Sequence, residues 1–239
     1  CIIDSAGNVQ ESLKVASTKK AFKEFFTIYS GNLVALENGT HSPWASRLLK
    51  ELGCQVLVGN ARKLPSIWRS TIKTDFRDAE TLARIARFDP KLLYPIFHRS
   101  EAAQADLAII KARDMLIQTR SGLINHVRGA VKSMGQRLPA SSAEAMAKRA
   151  KDHIPETLKP ALIPLLTQIE QLNKTIKEYD RQIENISKEK YPETELLRQV
   201  AGVGPITALA FVLTLEDPAR FQKSREVGPA LGLVPRNDQ

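Results

Sequence analysis

Leu33-Val34-Ala35-Leu36, Ser42-Pro43 and Gln55-Val56-Leu57-Val58 are the stretches on which the fold turns. Leu33–Leu36 is a short apolar run with the length of a buried strand. Ser42 and Pro43 suit a helix start, serine as a cap and proline in the first turn. That helix runs to about Leu52 and ends near Gly53. Gln55–Val58 is a second buried strand, so the segment reads strand, helix, strand. Upstream, Cys1–Ile3 and a run around Leu13-Lys14-Val15 flank the turn residues Asp4-Ser5-Ala6-Gly7-Asn8, which predicts a hairpin. Between hairpin and strand, Ala21, Phe22, Phe25 and Phe26 recur at helical spacing within Thr18–Tyr29. Downstream, a helix covers about Asp75–Arg87. Alternation of this kind predicts an α/β layer domain.

From about Ser100 the strand signals stop, and the fold class becomes α/β followed by α. Glu101–Met134 reads as one long helix carrying Lys111, Arg113, Arg120, Arg128 and Lys132. These basic residues are candidates for phosphate contacts or form a solvated face. Leu162, Leu165, Ile169, Leu172, Ile176, Tyr179, Ile183 and Ile186 then recur with gaps of three and four, the pattern of a heptad seam. An antiparallel hairpin with the preceding helix, a dimer, or both would bury it. The tail from Leu196 holds Gly202-Val203-Gly204-Pro205 ahead of an apolar helix, Ile206–Leu215.

The chain has 239 residues and a formal charge of +9, a balance that favours polyanionic partners, nucleic acid first. Two cysteines, Cys1 and Cys54, make neither a disulfide framework nor a metal cluster, which fits a reducing cytoplasm. No apolar run approaches the ~20 residues of a membrane span. Phosphate-loop and dinucleotide fingerprints are missing, and His41, His98, His126 and His153 lack metal spacing. The opening Cys1-Ile2-Ile3-Asp4 reads as mid-strand, and Pro235–Gln239 ends without a helix terminator, so both ends read as cut.

Three carboxylates are candidates for chemistry. Glu37 directly follows a strand, where α/β sheets place functional groups, although a solvated loop position would look the same. Asp75 and Asp78 stand three apart at a helix start and can face one side. Such a pair suits a hard divalent cation, and equally suits helix capping. Together the three are the kind of cluster that two-metal phosphodiester chemistry needs. Asp4 lies in a turn and reads as a hairpin residue. Gly202 and Gly204 would let backbone amides approach a phosphate, or would simply make a tight helix–helix turn.

Jointly these residues resemble the insertion-sequence-110 family of transposases, the DEDD or Piv-like recombinases. The resemblance rests on Leu36-Glu37-Asn38-Gly39 with Trp44, on Lys73-Thr74-Asp75 with Asp78-Ala79, and on Val200–Ala208 followed by Arg220-Phe221 and Gly232-Leu233-Val234-Pro235. It implies a ribonuclease-H-like (RuvC-like) domain over 1–98 lacking its first strand. It also implies a helical coiled-coil connector over 99–192 used in oligomerisation (dimer or tetramer), and a C-terminal transposase domain over 193–239 with a helix-hairpin-helix-like element. Glu37, Asp75 and Asp78 then correspond to the second to fourth members of a magnesium-binding acidic tetrad. Its first Asp is expected before residue 1, and a nucleophilic Ser beyond Gln239; Ser224 does not match. The partners implied are DNA and a structured guide RNA, in a bacterial cytoplasm. A RuvC-like nuclease using water, or a non-catalytic nucleic-acid-binding remnant, are the alternatives.

Overall fold

The computed structural model describes residues 1–60, 63 and 74–234. They form two compact units, Cys1–Arg99 and Ser100–Gln239.

The first unit opens with a hairpin, β1 (Ile2–Ile3) against β2 (Val9–Glu11), antiparallel. Asp4 closes its turn. One carboxylate oxygen accepts from Asn8 N at 2.8 Å, and the other from Asn8 Nδ2 at 3.1 Å and Gln10 Nε2 at 2.9 Å. These donors, the Asn8 amide foremost, hold the Asp4 carboxyl below its ordinary range. Gly7 completes the reversal at φ +92°, a conformation that glycine adopts without steric cost. Pairing therefore resumes at Val9, and the second strand is not the Leu13–Val15 run that the sequence suggests. Leu13 and Val15 are half-buried beyond the strand.

Thr18 caps α1 (Lys19–Phe26), its hydroxyl accepting from Ala21 N at 3.2 Å. A single 3-10 turn, Thr27–Tyr29, extends it. Phe22, Phe25, Phe26, Tyr29 and Trp44 form a connected aromatic group on this side. Next come β3 (Leu33–Glu37), α2 (Ser42–Glu51) and β4 (Gln55–Gly59). β3 and β4 pair in parallel, from Leu33 opposite Gln55 to Glu37 opposite Gly59. At the end of α2, Gly53 takes φ +84°, and a Cβ there would collide with Ser30 Oγ. Helix α3 (Asp75–Phe88) packs on β3, with Leu82, Ala86 and Leu93 buried against Ala35 and Leu57. From α3, Arg84 donates to Gly7 O and Arg87 to Ser5 O, tying the helix to the hairpin turn.

The element order agrees with the sequence reading, but the strands do not make one sheet. Among the described residues the hairpin and the parallel pair are separate two-stranded sheets. β3 is only half-buried, with Leu33 exposed. A parallel pair ordinarily hides both faces and edges. Here Cys1–Ser5 and Asn32–Leu36 instead line one cavity of about 620 Å³, together with Phe22, Phe26 and Ala83.

The second unit is helical. Ser100 caps α4 (Glu101–Ser133). A linker carries the chain to α5 (Met146–Ala150), and α6 (Lys159–Lys190) returns antiparallel along α4. On α4 the inward positions are Ala103, Asp106, Ile110, Arg113, Ile117, Arg120, Ile124, Val127 and Val131, alternating steps of three and four. They face Ser187, Ile183, Asp180, Ile176, Asn173, Ile169, Leu166 and Leu162 of α6. Most of the predicted seam is buried within the chain: Leu162, Ile169, Ile176, Ile183 and Ile186 are buried. Leu165, Leu172 and Tyr179 are half-buried, as are Asn173 and Asp180 beside them, while Leu166 is buried. The inward arginines of α4 demand polar partners, and Asn173 and Asp180 of α6 supply them. Arg113 pairs with Asp180, and Arg120 with Asn173 at 2.7 Å and Glu144 at 3.1 Å. Asp106, 5% exposed, accepts from Lys190 Nζ at 3.0 Å and Tyr191 Oη at 2.9 Å. Burial, then Asp106, pushes the Tyr191 phenol up to about 12.

The chain closes with α7 (Thr194–Arg198), α8 (Pro205–Leu215) and the short α9 (Val227–Ala230). Leu209 and Leu213 of α8 join Ala103, Ile110 and Ile183 in one apolar cluster. No described helix is long and apolar enough to cross a membrane.

Candidate active site

Glu37 is the last residue of β3 and is exposed. The backbone after it is fixed twice. Asn38 N donates to Gly59 O at 3.0 Å, which continues the ladder by one bond. Ser42 then folds back over the loop. Its hydroxyl accepts from Gly39 N at 3.0 Å and donates to Gly39 O at 2.8 Å. His98 Nε2 lies 2.8 Å from the same hydroxyl. With its proton on Nε2, His98 donates and the hydroxyl's partners are complete. Burial, then the charges of Arg47, Lys50 and Arg99, lower the His98 pKa, so the ring is held neutral. Ser42 is therefore not the cap that the sequence suggests. It is the first helical residue, 5% exposed, and serves the loop behind Glu37. No spacing signal announces this pair, because its members are 56 positions apart.

Asp75 and Asp78 stand in the first turn of α3, Asp75 exposed and Asp78 half-buried. The side-chain cap is Thr74, whose hydroxyl accepts from Arg77 N at 3.3 Å. Both aspartates stand where the helix dipole favours negative charge. Lys73, which precedes them in the motif, lies outside the described residues. Among the described residues, Glu37, Asp75 and Asp78 enter no ion pair. As oxygen donors they suit a hard divalent cation. The arrangement does not complete a site: no three His, Cys, Asp or Glu side chains among the described residues come close enough to hold a metal ion. The structure thus brings at most two of the three carboxylates to one point.

The glycines of the tail sit in the bend before α8. Gly202 has φ +87°, Gly204 is extended at the helix cap, and both would-be Cβ positions face open space. Of the five basic candidates on α4, Lys111, Arg128 and Lys132 are exposed. Arg113 and Arg120 turn into the seam, their side chains 16% and 9% exposed, and spend their donors on α6 and Glu144. They are braces within the unit, and the basic surface of α4 is carried by the other three.

Comparison with known proteins adds identity to this geometry. Residues 1–135, more than half of the chain, match the DEDD transposase model of IS110, described as Transposase. Residues 194–239 match the Transposase IS116/IS110/IS902 family. The transposase for insertion sequence element IS1328 of Yersinia enterocolitica is 29% identical over 210 residues, which cover 85% of this chain and 61% of that protein. The transposase for insertion sequence element IS1111A of Coxiella burnetii is 27% identical over 176 residues, covering 69% of this chain and 46% of that protein. The chain therefore spans about half to three fifths of the length of these relatives. Two ordered matches at the two ends of the sequence, one of them over the unit that carries Glu37, Asp75 and Asp78, place the chain in the IS110 family of transposases.

Proposed function

We propose that this chain is part of an insertion-sequence DNA transposase that cleaves and rejoins DNA strands, with Cys1–Arg99 as its ribonuclease-H-like (RuvC-like) catalytic layer. The observation that carries the reading is the placement of three carboxylates. Glu37, Asp75 and Asp78 stand at the end of a parallel strand and at the start of the helix packed on it, with no internal cation partner among the described residues. A carboxylate kept free of cations in a basic chain is available to an outside cation. The cavity between β1 and β3 also supports the reading, since two unpaired strand edges and an apolar lining suit one further strand. Magnesium is the ion proposed for Glu37, Asp75 and Asp78. The exposed glycines Gly202 and Gly204 are proposed as a backbone approach to phosphate, in the manner of a helix-hairpin-helix element. A structured guide RNA, oligomerisation through the long helices and a bacterial cytoplasmic setting complete the proposal, and they rest on the family resemblance.

The test is magnesium-dependent stabilisation. Magnesium should raise the melting temperature, and the rise should vanish in Asp75→Asn, Asp78→Asn and Glu37→Gln. An identical rise in all variants removes the metal assignment. A second reading, nucleic-acid binding without catalysis, rests on the formal charge of +9. It gains if magnesium changes nothing while DNA still binds.

A further inference from the structure

Charge is spread unevenly over the helical unit. Along α6, six Lys and Arg are interspersed with five Asp and Glu, the pattern of a solvated shaft. The turn end of the hairpin differs. From Arg128 to Asp152 the chain carries Arg128, Lys132, Arg137, Lys148, Arg149 and Lys151, all exposed, against two acids, Glu144 and Asp152. Glu144 is engaged by Arg120 at 3.1 Å, so it does not offset the others.

These cations share one foundation. The end of α4, the linker and α5 are joined by an apolar cluster containing Val127, Val131, Met146, Ala147 and Ala150. Two of the six act as braces: Arg128 donates to Ser141 O at 3.4 Å and Arg149 to Ala140 O at 3.2 Å. The remaining four, Lys132, Arg137, Lys148 and Lys151, are in no ion pair among the described residues. Folding thus collects like charges around a packed cap without neutralising them. Self-repulsion makes that arrangement costly unless a polyanion covers it.

We infer that the turn end of the α4–α6 hairpin is a docking surface for the phosphate backbone of duplex DNA, with Lys132, Arg137, Lys148 and Lys151 as the contacting residues. This rests on the proposed role in DNA transposition but is separate from the acidic residues of the first unit. The contacts are to backbone phosphates, since exposed lysine and arginine charges position a duplex without reading bases.

The experiment measures binding of the whole chain to a fluorescent duplex of arbitrary sequence, in EDTA, from low to moderate salt. Each phosphate contact contributes about 0.9 to the slope of log affinity against log salt. The Lys132→Gln, Arg137→Gln, Lys148→Gln, Lys151→Gln variant should lose about 2–4 from that slope and weaken binding at least ~10-fold at 0.1 M salt. A shaft variant, Lys174→Gln, Lys177→Gln, Arg181→Gln, should bind as the parent does. The tip substitutions are at exposed positions, and an unchanged thermal melt establishes that the fold persists. An unchanged slope, equal loss in the shaft variant, no duplex binding by the parent, or a loss seen with RNA but not with DNA overturns the proposal. Binding is read in EDTA, where no magnesium is held, so failure of the metal assignment and failure of the docking surface give different results.

Discussion

Arg120 reaches across the hairpin to Asn173, Nη1 to Oδ1 at 2.7 Å, while its Nε is buried without a hydrogen-bond partner among the described residues. A guanidinium so placed depends on every bond it keeps. Asn173→Leu should therefore destabilise the chain by about 1.5–3 kcal/mol in urea unfolding, because it removes an acceptor from a buried guanidinium whose ion pair with Glu144 remains. The double variant Arg120→Leu, Asn173→Leu should recover most of that loss, since a hydrocarbon layer of similar volume replaces the pair. If the double variant is as unstable as the sum of the single ones, Arg120 and Asn173 are not coupled.

Gly53 gives a sharper steric case. Alanine there meets Ser30 Oγ and must also hold φ +84°. Gly53→Ala should cost about 2 kcal/mol, combining left-handed strain with a displaced neighbour. Gly39→Ala, with open space around its Cβ position, should stay within about 0.5 kcal/mol. Equal melting temperatures for the two variants would contradict the placement of Gly53.

Thr74 and the aspartates behind it separate capping from chemistry. Thr74→Ala should lower stability by about 1 kcal/mol through loss of the cap on α3, while any magnesium response persists. Asp75→Asn and Asp78→Asn should each cost less than Thr74→Ala, since they lose only a dipole interaction. Chemical denaturation of the three variants, with and without magnesium, tests the ordering.

His98 predicts a pH dependence. Its folded pKa is lowered from the ordinary 6.5 by burial and by Arg47, Lys50 and Arg99. Protons then bind the unfolded chain first as the pH falls. The stability that neutral His98 contributes is full above about 6.5 and is lost as the pH drops through its lower folded value. Melting temperature should decline on going from pH 7.5 to pH 5.5, and His98→Gln should flatten that decline. Tyr191 works in the opposite sense. Its folded pKa of about 12 lies above the ordinary 10, so its contribution is full below pH 10 and lost as the pH rises through about 12.

Periodicity made most of the elements readable in advance. Apolar spacing found α1 and α6, and short apolar runs found β3 and β4, because those signals come from which face must leave water. Tertiary pairing hid the rest. Arg113 and Arg120 look like solvent residues until Asp180 and Asn173 are placed opposite them. Asn173 and Asp180 on α6 read as surface residues for the same reason. Glu37, Asp75 and Asp78 were legible as acids at element ends, but local sequence does not fix how closely they approach one another. The link from Ser42 to His98 spans most of a unit and leaves no local trace.

The polar layers of the α4–α6 hairpin recur every seven residues, at Asp106, Arg113 and Arg120, opposite Ser187, Asp180 and Asn173. Such spacing works as a vernier. Sliding one helix by a heptad, about 10 Å, restores the apolar fit but only part of the polar one. One direction brings Arg113 to Asn173 but sets Asp106 against Asp180 and leaves Arg120 facing Leu166; the other brings Arg120 to Asp180 but sets Arg113 against Ser187 and Asn173 against Val127. Each misalignment buries a group without its counterpart, so the two helices lock at a single notch, and the hairpin has a fixed length.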